Sequence, residues 1–308
     1  MENPNKILVS ICMITYNHER FLAEAINGVL DQKIDSGFEL VVSDDCSTDY
    51  SYEIVDSFVS NHPLGNRIRY IRHKTNLGMS ENFHWTLMQC KGEYIAYCEG
   101  DDYWTDTRKL QKQIDYLQSN KSLSFAFHRT TLYYQNSKIS KADHNDRFFK
   151  KNKSLIEVDG FTLANGWQIG MQTLVFRKAY ISNLNISDFN YFRDVHLLAH
   201  LLEYGNGACL NFFGSVYRIH NEGVHSRNSK FENLKTGYAC FEELFKCYKK
   251  NYQKLILKNY LHELIQFQIK GNNYQEAVYY LKKLMSLEFS LKVLAYYLKE
   301  LILSTARR

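Results

Sequence analysis

Residues 7–32, ILVSICMITYNHERFLAEAINGVLDQ, change periodicity once, and that change decides the fold. ILVSICMI (7–14) is a nearly unbroken apolar, β-branched run, the pattern of a strand covered on both faces. After the polar TYNHER, residues Phe21, Leu22, Ala25, Ile26 and Val29 share one helical face, with Asn17 placed to cap the helix. The two patterns then repeat. FELVVS (38–43), IRYIRH (68–73) and YIAYC (94–98) read as strands. DYSYEIVDSFVSNH (49–62), with Ser47 or Thr48 as its cap, SENFHWTLMQC (80–90) and TRKLQKQIDYLQSN (107–120) read as helices. This alternation predicts βαβ units with right-handed crossovers, an α/β fold with a mostly parallel sheet and helices on both faces. Ligands of such sheets meet the carboxyl ends of the strands. Those ends here carry Thr15-Tyr16-Asn17, Asp44-Asp45 and Glu99-Gly100-Asp101-Asp102.

Past residue 120 the pattern is mixed. SFAFHRTTLYY (124–134), QTLVF (172–176) and CLNFFGSVYRIH (209–220) are strand-like, YFRDVHLLAHLLEYG (191–205) is helical, and the polar stretch 135–157 reads as a surface loop. From about residue 230 the pattern is purely helical, in four amphipathic segments broken near Asn251, at Gly271-Asn272-Asn273 and near Glu288–Ser290. The expected organisation is one α/β domain over 1–228 and a C-terminal helical bundle over 229–308.

The 308 residues are 45% hydrophobic and 23% charged, which suits an ordered globular chain. A net charge of +5 with the two signs interspersed is no nucleic-acid signature, although it favours anionic nucleotides or lipid head groups mildly. The seven cysteines are odd in number and scattered, with no C-x-x-C pair. That argues against a disulfide framework or a zinc site and for a reducing, cytoplasmic setting. Ile7 to Ile14 is too short a run for a signal peptide, and no apolar run approaches the roughly 18–20 residues that cross a bilayer. The last segment, FSLKVLAYYLKELILSTARR (289–308), sets Leu291, Leu294, Ala295, Leu298, Leu301 and Ile302 on one face, with Lys292, Lys299, Arg307 and Arg308 elsewhere. Such a helix either packs on the bundle or lies in the interface at the inner face of the cell membrane.

The chemistry is carried by acids. Adjacent carboxylates repel one another and are held apart or given a counter-charge. A hard divalent cation bound through one or two carboxylates, with phosphate oxygens and water completing its shell, is a common answer. An Asp-Asp pair is also ordinary turn chemistry. Two such pairs at the ends of two strands of one sheet are harder to dismiss.

In order and spacing, the segments ILVSICMITYNHERFLAEAINGVLDQ, FELVVSDDCSTDYSYEIV and IRYIRHKTNLGMSENFHWTLMQCKGEYIAYCEGDDYW resemble the start of the family 2 glycosyltransferases, across about 6–118 and more loosely to about 228. Glu99 stands where the family often has Asp, and Ser43 precedes the intact Asp44-Asp45 pair. The resemblance implies a GT-A fold and the bacterial polysaccharide type of transfer. A sugar moves, with inversion, from a nucleotide diphosphate, most simply a UDP-sugar, to a saccharide or lipid-linked acceptor. It implies roles as well. Thr15, Tyr16 and Asn17 flank the base, with Tyr16 placed to stack; Asp44 accepts from a base N–H and Asp45 shapes that pocket. Asp101 contacts ribose or metal, and Asp102 is the main ligand of Mn²⁺ or Mg²⁺. Asp194, at a helix start where an anion is stabilised, is the base that deprotonates the acceptor hydroxyl, with Asp188 as the fallback. His220, in the loop that also holds His225 and Arg227, is a metal or phosphate ligand. Trp104, Trp167 and Gln172 are candidates for the acceptor side.

The rivals fare worse. A dinucleotide-dependent oxidoreductase needs G-x-G-x-x-G after the first strand, where this chain has Thr15-Tyr16-Asn17-His18-Glu19-Arg20. A phosphotransfer receiver or a haloacid-type phosphatase needs a reactive Asp after an early strand and a later Lys. A non-catalytic nucleotide-sugar-binding module on the same scaffold is the alternative that remains.

Overall fold

The computed structural model describes residues 7–149, 153–190, 192–221, 223 and 228–306. The chain divides into two compact units, Met1–His220 and Asn221–Arg308. That division falls ahead of the expected 228/229 boundary, and His225 and Arg227 lie outside the described residues.

The first unit follows the order β1 (Ile7–Thr15), α1 (Leu22–Leu30), β2 (Gly37–Asp44), α2 (Ser51–Asn61), β3 (Ile68–Arg72), α3 (Met79–Gln89), β4 (Tyr94–Tyr97), β5 (Tyr103–Trp104) and α4 (Lys109–Ser119). Then come β6 (Phe125–Tyr134), β7 (Ile139–Ala142), β8 (Leu155–Val158), α5 (Gly160–Ala164), β9 (Val175–Arg177), α6 (Asp194–Leu201) and β10 (Gly207–Ile219). The sheet runs β3-β2-β1-β4-β9-β6-β10-β5, with β7 on β6 and β8 on β10. It is parallel through β3-β2-β1-β4 and again between β6 and β10, while β5, β7, β8 and β9 enter antiparallel.

The continuous apolar runs are explained by two cores. Along β1, Val9, Ile11 and Met13 face one way, onto Leu22, Ala25, Ile26 and Val29 of α1 and Leu110, Ile114 and Leu117 of α4. Cys12 and Ile14 face the other way, onto Phe83 and Leu87 of α3 and Leu197 and Leu201 of α6. Strand β4 divides likewise, Tyr94 and Ala96 to the first core and Ile95 and Tyr97 to the second. Each fully buried Leu or Ile contributes roughly 1.5–3 kcal/mol, so a polar residue at Ile11 or Ile26 would be among the costliest single changes.

Two expected caps are absent. Helix α1 begins after a turn in which the His18 carbonyl accepts from the N–H of both Phe21 and Leu22, and no side chain caps it. Asn17 instead lies in the left-handed region (φ 57°), and its Oδ1 accepts from the Thr48 N–H at 2.8 Å. Ser47 does not cap α2; its Oγ accepts from the Asn17 N–H at 2.9 Å. The residues read as caps are thus spent on tying the end of β1 to the end of β2. The stretch read as a loop, 135–157, holds β7 and the start of β8.

The second unit is four helices, α7 (Lys230–Tyr248), α8 (Asn251–Lys270), α9 (Tyr274–Leu287) and α10 (Leu291–Ala306), broken where the sequence breaks. Ser229 and Glu232 form a capping box on α7. Its own core joins Leu234, Leu261, Leu264, Ile265, Ala277, Leu281, Leu284 and Tyr297. Among the described residues no helix is long and apolar enough to cross a membrane.

Candidate active site

The register of β1, β2 and β4 brings the strand ends together. Thr15 stands beside Asp44, and the pairing of β1 with the chain after β4 continues through the Gly100 N–H to the Ile14 carbonyl at 3.0 Å. A Cβ on Gly100 would sit 3.0 Å from both Thr15 Oγ1 and His18 Nδ1, so a side chain there would push both neighbours aside by a few tenths of an ångström. The chain therefore delivers Glu99, Asp101 and Asp102 directly against the end of β1.

These three carboxylates offer ligand atoms that all lie within 4.8 Å of one another. Asp102 is buried. Its Oδ1 accepts from the Arg218 N–H at 2.8 Å, while its Oδ2 has no hydrogen-bond partner. Asp101 Oδ2 meets His220 Nε2 at 3.1 Å and His18 Nε2 at 3.9 Å. Burial, then the charges of Asp101 and Glu99, push the Asp102 carboxyl well above its ordinary range. Burial, then the Asp101 charge, push Glu99 up to about 8, against the hydrogen bond that Tyr97 donates to it. Asp101 goes the other way: burial would raise it, but the His220 hydrogen bond and the two imidazoles bring it below the usual value.

The cluster fits a divalent cation. Buried polar atoms are rarely left unpaired, yet Asp102 Oδ2 inside the cluster has no partner. The carboxylates are hard oxygen donors of the kind Mg²⁺ and Mn²⁺ take. His220 is packed on Phe21 at 4.8 Å and turns its Nε2 to Asp101, so it orients that carboxylate.

The other acidic pair is built differently. Asp44 is fully buried, and both its oxygens are used: Oδ1 accepts from the Ser47 N–H at 2.8 Å, and Oδ2 accepts from the Tyr70 hydroxyl at 2.6 Å, with Arg72 Nε at 3.8 Å. Each Asp44 oxygen thus has one protein donor and keeps a further lone pair. Asp45 accepts from the N–H groups of Leu77 and Gly78 at 2.6 and 2.9 Å. Tyr16, just past the end of β1, is 46% exposed.

Asp194 is the first residue of α6, preceded by Arg193 at the cap position. Its charge adds slightly to the upward shifts of Glu99 and Tyr217, which puts the helix start within electrostatic reach of the acid cluster. Asp188 lies in a short 3₁₀ turn, where its carboxylate accepts from Asn185. Trp104, Trp167 and Gln172 do not line an open face. All are buried: the Trp104 indole N–H donates to the Gln172 carbonyl, Gln172 reaches Thr130, and Trp167 stacks on Phe148.

Two residues of the site were not singled out from the sequence. His18 follows Thr15-Tyr16-Asn17 at a strand end, which is the signal that marks it. Arg218 braces the acidic loop by its backbone N–H to Asp102, its Nε to the Asp101 carbonyl and its guanidinium to Glu24 at 2.6 Å. Nothing local in YRIH reveals that role.

Known proteins carry the same pattern. The profile described as glycosyl transferase family 2 matches residues 10–181. A Mycobacterium tuberculosis protein of uncharacterised function is 38% identical over 127 residues, which span 41% of this chain and only 36% of that protein. The putative teichuronic acid biosynthesis glycosyltransferase TuaG of Bacillus subtilis is 25% identical over 78% of this chain and 89% of its own. WfgD of Escherichia coli, a UDP-Glc:alpha-D-GlcNAc-diphosphoundecaprenol beta-1,3-glucosyltransferase, is 27% identical over 74% and 83%. Among solved structures, TarS (residues 1–349) of S. aureus in complex with UDP-GlcNAc superposes with a TM-score of 0.68 over 97% of this chain and 89% of that one, at 17% identity. The mannosyltransferase PcManGT of Pyrobaculum calidifontis, in complex with GDP-Man and Mn²⁺, does so at 0.57 over 99% and 88%, at 13% identity. The two structures speak for the fold, which is GT-A. With the profile covering more than half of the residues and the ordered strand-end acids in place, this chain belongs to glycosyl transferase family 2.

Proposed function

We propose that this protein transfers a sugar from a UDP-sugar to an acceptor hydroxyl on a growing surface glycan or lipid-linked saccharide, on the cytoplasmic side of the membrane. The observation that carries the reading is the unpaired, buried Asp102 Oδ2 inside the Glu99–Asp101–Asp102 cluster, with Asp194 within electrostatic reach of Glu99. A binding module would use the acid cluster alone; a transferase also needs a carboxylate to take the acceptor proton, and Asp194 offers one. The activity that names WfgD, with a UDP-linked donor and a lipid-linked acceptor, and the biosynthetic role in the name of TuaG support the donor and acceptor classes.

In this reading Thr15, Tyr16 and Asn17 border the base, Tyr16 offers its exposed ring, and Asp44 and Asp45 hold the loops that shape the pocket. Asp101 and Asp102, with Glu99 beside them and His220 steadying Asp101, hold a Mn²⁺ or Mg²⁺ ion. Such an ion, when bound, offsets the charge of the diphosphate leaving group. Asp194 accepts the proton of the acceptor hydroxyl. The acceptor oxygen forms its bond to the anomeric carbon as the bond from that carbon to the diphosphate oxygen breaks, and UDP departs with the electron pair. One in-line displacement inverts the centre, so an α-linked donor yields a β-linked product. Positioning of donor and acceptor supplies several kcal/mol of the rate enhancement.

A thermal-shift panel of UDP-, dTDP-, GDP- and CMP-sugars with and without Mn²⁺ tests the donor, because a true ligand raises the melting temperature by mass action. Release of UDP from the stabilising donor, with and without EDTA, then tests the reaction. No UDP release from any donor with Mn²⁺ present would leave the binding-module reading in its place.

A further inference from the structure

The last helix carries two apolar faces, and the helical unit uses only one. Leu294, Tyr297 and Leu301 of α10 turn into the core of that unit. Leu291, Leu298 and Ile302 turn out, 70%, 47% and 66% exposed, and Phe289 just before the helix is 67% exposed. The single amphipathic face expected from the sequence is therefore split, half of it satisfied and half facing solvent. Single exposed leucines are ordinary; a contiguous apolar row along one helix marks a contact surface.

The charge of the chain says what covers it. Residues 221–308 contain 15 Lys and Arg against 8 Asp and Glu, a net of +7, whereas residues 1–220 contain 23 against 25, a net of −2. The entire positive excess sits in the helical unit. On α10 itself, Lys292 and Lys299 are exposed beside the apolar row. A second copy of the chain would set +7 against +7. A nucleic acid would answer the charge and leave Leu291, Leu298 and Ile302 in water. An anionic lipid surface answers both, taking lysines at the head groups and apolar side chains just beneath.

We infer that α10 is an in-plane membrane anchor, docking the helical unit on an anionic bilayer through Phe289, Leu291, Leu298 and Ile302 with Lys292 and Lys299 at the head groups. With 16 residues the helix is about 24 Å long, short of the roughly 30 Å hydrocarbon core, so it lies along the surface and does not span it. The inference does not depend on the acid cluster and holds whether or not the transfer reaction does.

Flotation of the full chain with vesicles of phosphatidylcholine, alone or with phosphatidylglycerol, tests it. Binding is expected to the anionic vesicles and to weaken with salt. Charge removal by Lys292→Gln and Lys299→Gln should lower partitioning about fivefold per lysine. Leu298→Asn with Ile302→Asn should abolish flotation while leaving the circular-dichroism melt and UDP binding unchanged. Leu298→Trp supplies a readout independent of the polar variant: its fluorescence should be quenched by brominated lipid in anionic vesicles. Equal binding to neutral vesicles, no flotation with either, or an unquenched tryptophan would overturn the anchor. So would a dimer, seen by light scattering without lipid, that the Leu298→Asn, Ile302→Asn variant breaks apart.

Discussion

The chain holds the dipeptide Asp-Asp at the ends of two strands of one sheet, and the two copies do opposite things. At Asp44-Asp45 every carboxylate oxygen has a protein donor: the N–H of Ser47, Leu77 and Gly78 and the hydroxyl of Tyr70. At Asp101-Asp102 only Asp102 is as deeply buried, one of its oxygens is left without a partner, and a third acid, Glu99, is brought in. The first pair is charge made comfortable by donors, and it fixes loops. The second is charge made uncomfortable by neighbours, and the discomfort is what a cation relieves. Composition and spacing cannot tell the two apart; the count of N–H groups aimed at each pair can.

That contrast can be broken in several ways. Asp102→Asn should remove the cation's main anchor and with it several kcal/mol of leaving-group stabilisation, a loss on the order of 10⁴-fold in transfer, read as UDP and product formation with saturating Mn²⁺. In cation-free buffer the same variant should melt no lower than the parent, since it loses a carboxylate that burial disfavours; a marked drop would place Asp102 with the structural pair. Asp194→Asn should cost roughly 10²–10³-fold in turnover with donor affinity by calorimetry unchanged. Near-normal turnover, or an α-linked product from an α-donor by NMR, would remove both the base and the inverting displacement.

The other pair gives the reverse outcome. Asp44→Ala should lower stability by about 2–4 kcal/mol in denaturant titration, because it strands the Ser47 N–H, the Tyr70 hydroxyl and Arg72 together. A further effect is in pH. Glu99 has a carboxyl raised from 4.5 to about 8, so across that window the folded chain holds a proton the unfolded chain has lost. Stability is therefore favoured below the unfolded value and declines as pH rises toward 8. The melting temperature of cation-free protein should fall between about pH 5 and pH 8, and added Mn²⁺ should raise it more at pH 8 than at pH 5.

Much of the architecture was legible because it rests on local pattern. Helices α7 to α10 begin and end where Asn251, Gly271-Asn272-Asn273 and Glu288–Ser290 interrupt an apolar period, and β1, β2, β3 and β4 are continuous runs too short for helices. What escaped was settled at a distance. Strand β5 is two residues long and exists because β10 pairs with it. Asn17 and Ser47 read as caps, but each found a partner some thirty residues away in the other's loop. Trp104 looked like a sugar platform because aromatics at strand ends so often are; Gln172 and Lys109 enclose it instead. The acid cluster was visible as Asp101-Asp102, whereas the donors that separate it from Asp44-Asp45 come from residues 47, 70, 77 and 78 and could not be assigned in advance.

Arg218 sets an order of events. It grips Asp102 across 116 residues, the Asp101 carbonyl across 117 and Glu24 across 194. Closing loops of that length comes late, after local helices and neighbouring strands have formed. A growing chain exposes its acidic loop long before it has made the strand that holds it. Until β10 is laid beside β6 and meets β5, the three acids have no fixed spacing and no reason to prefer one cation over solvent. The same dependence runs backwards on unfolding: detachment of β10 releases Asp101, Asp102 and His220 at one stroke, so loss of the cation and loss of that strand should be a single event.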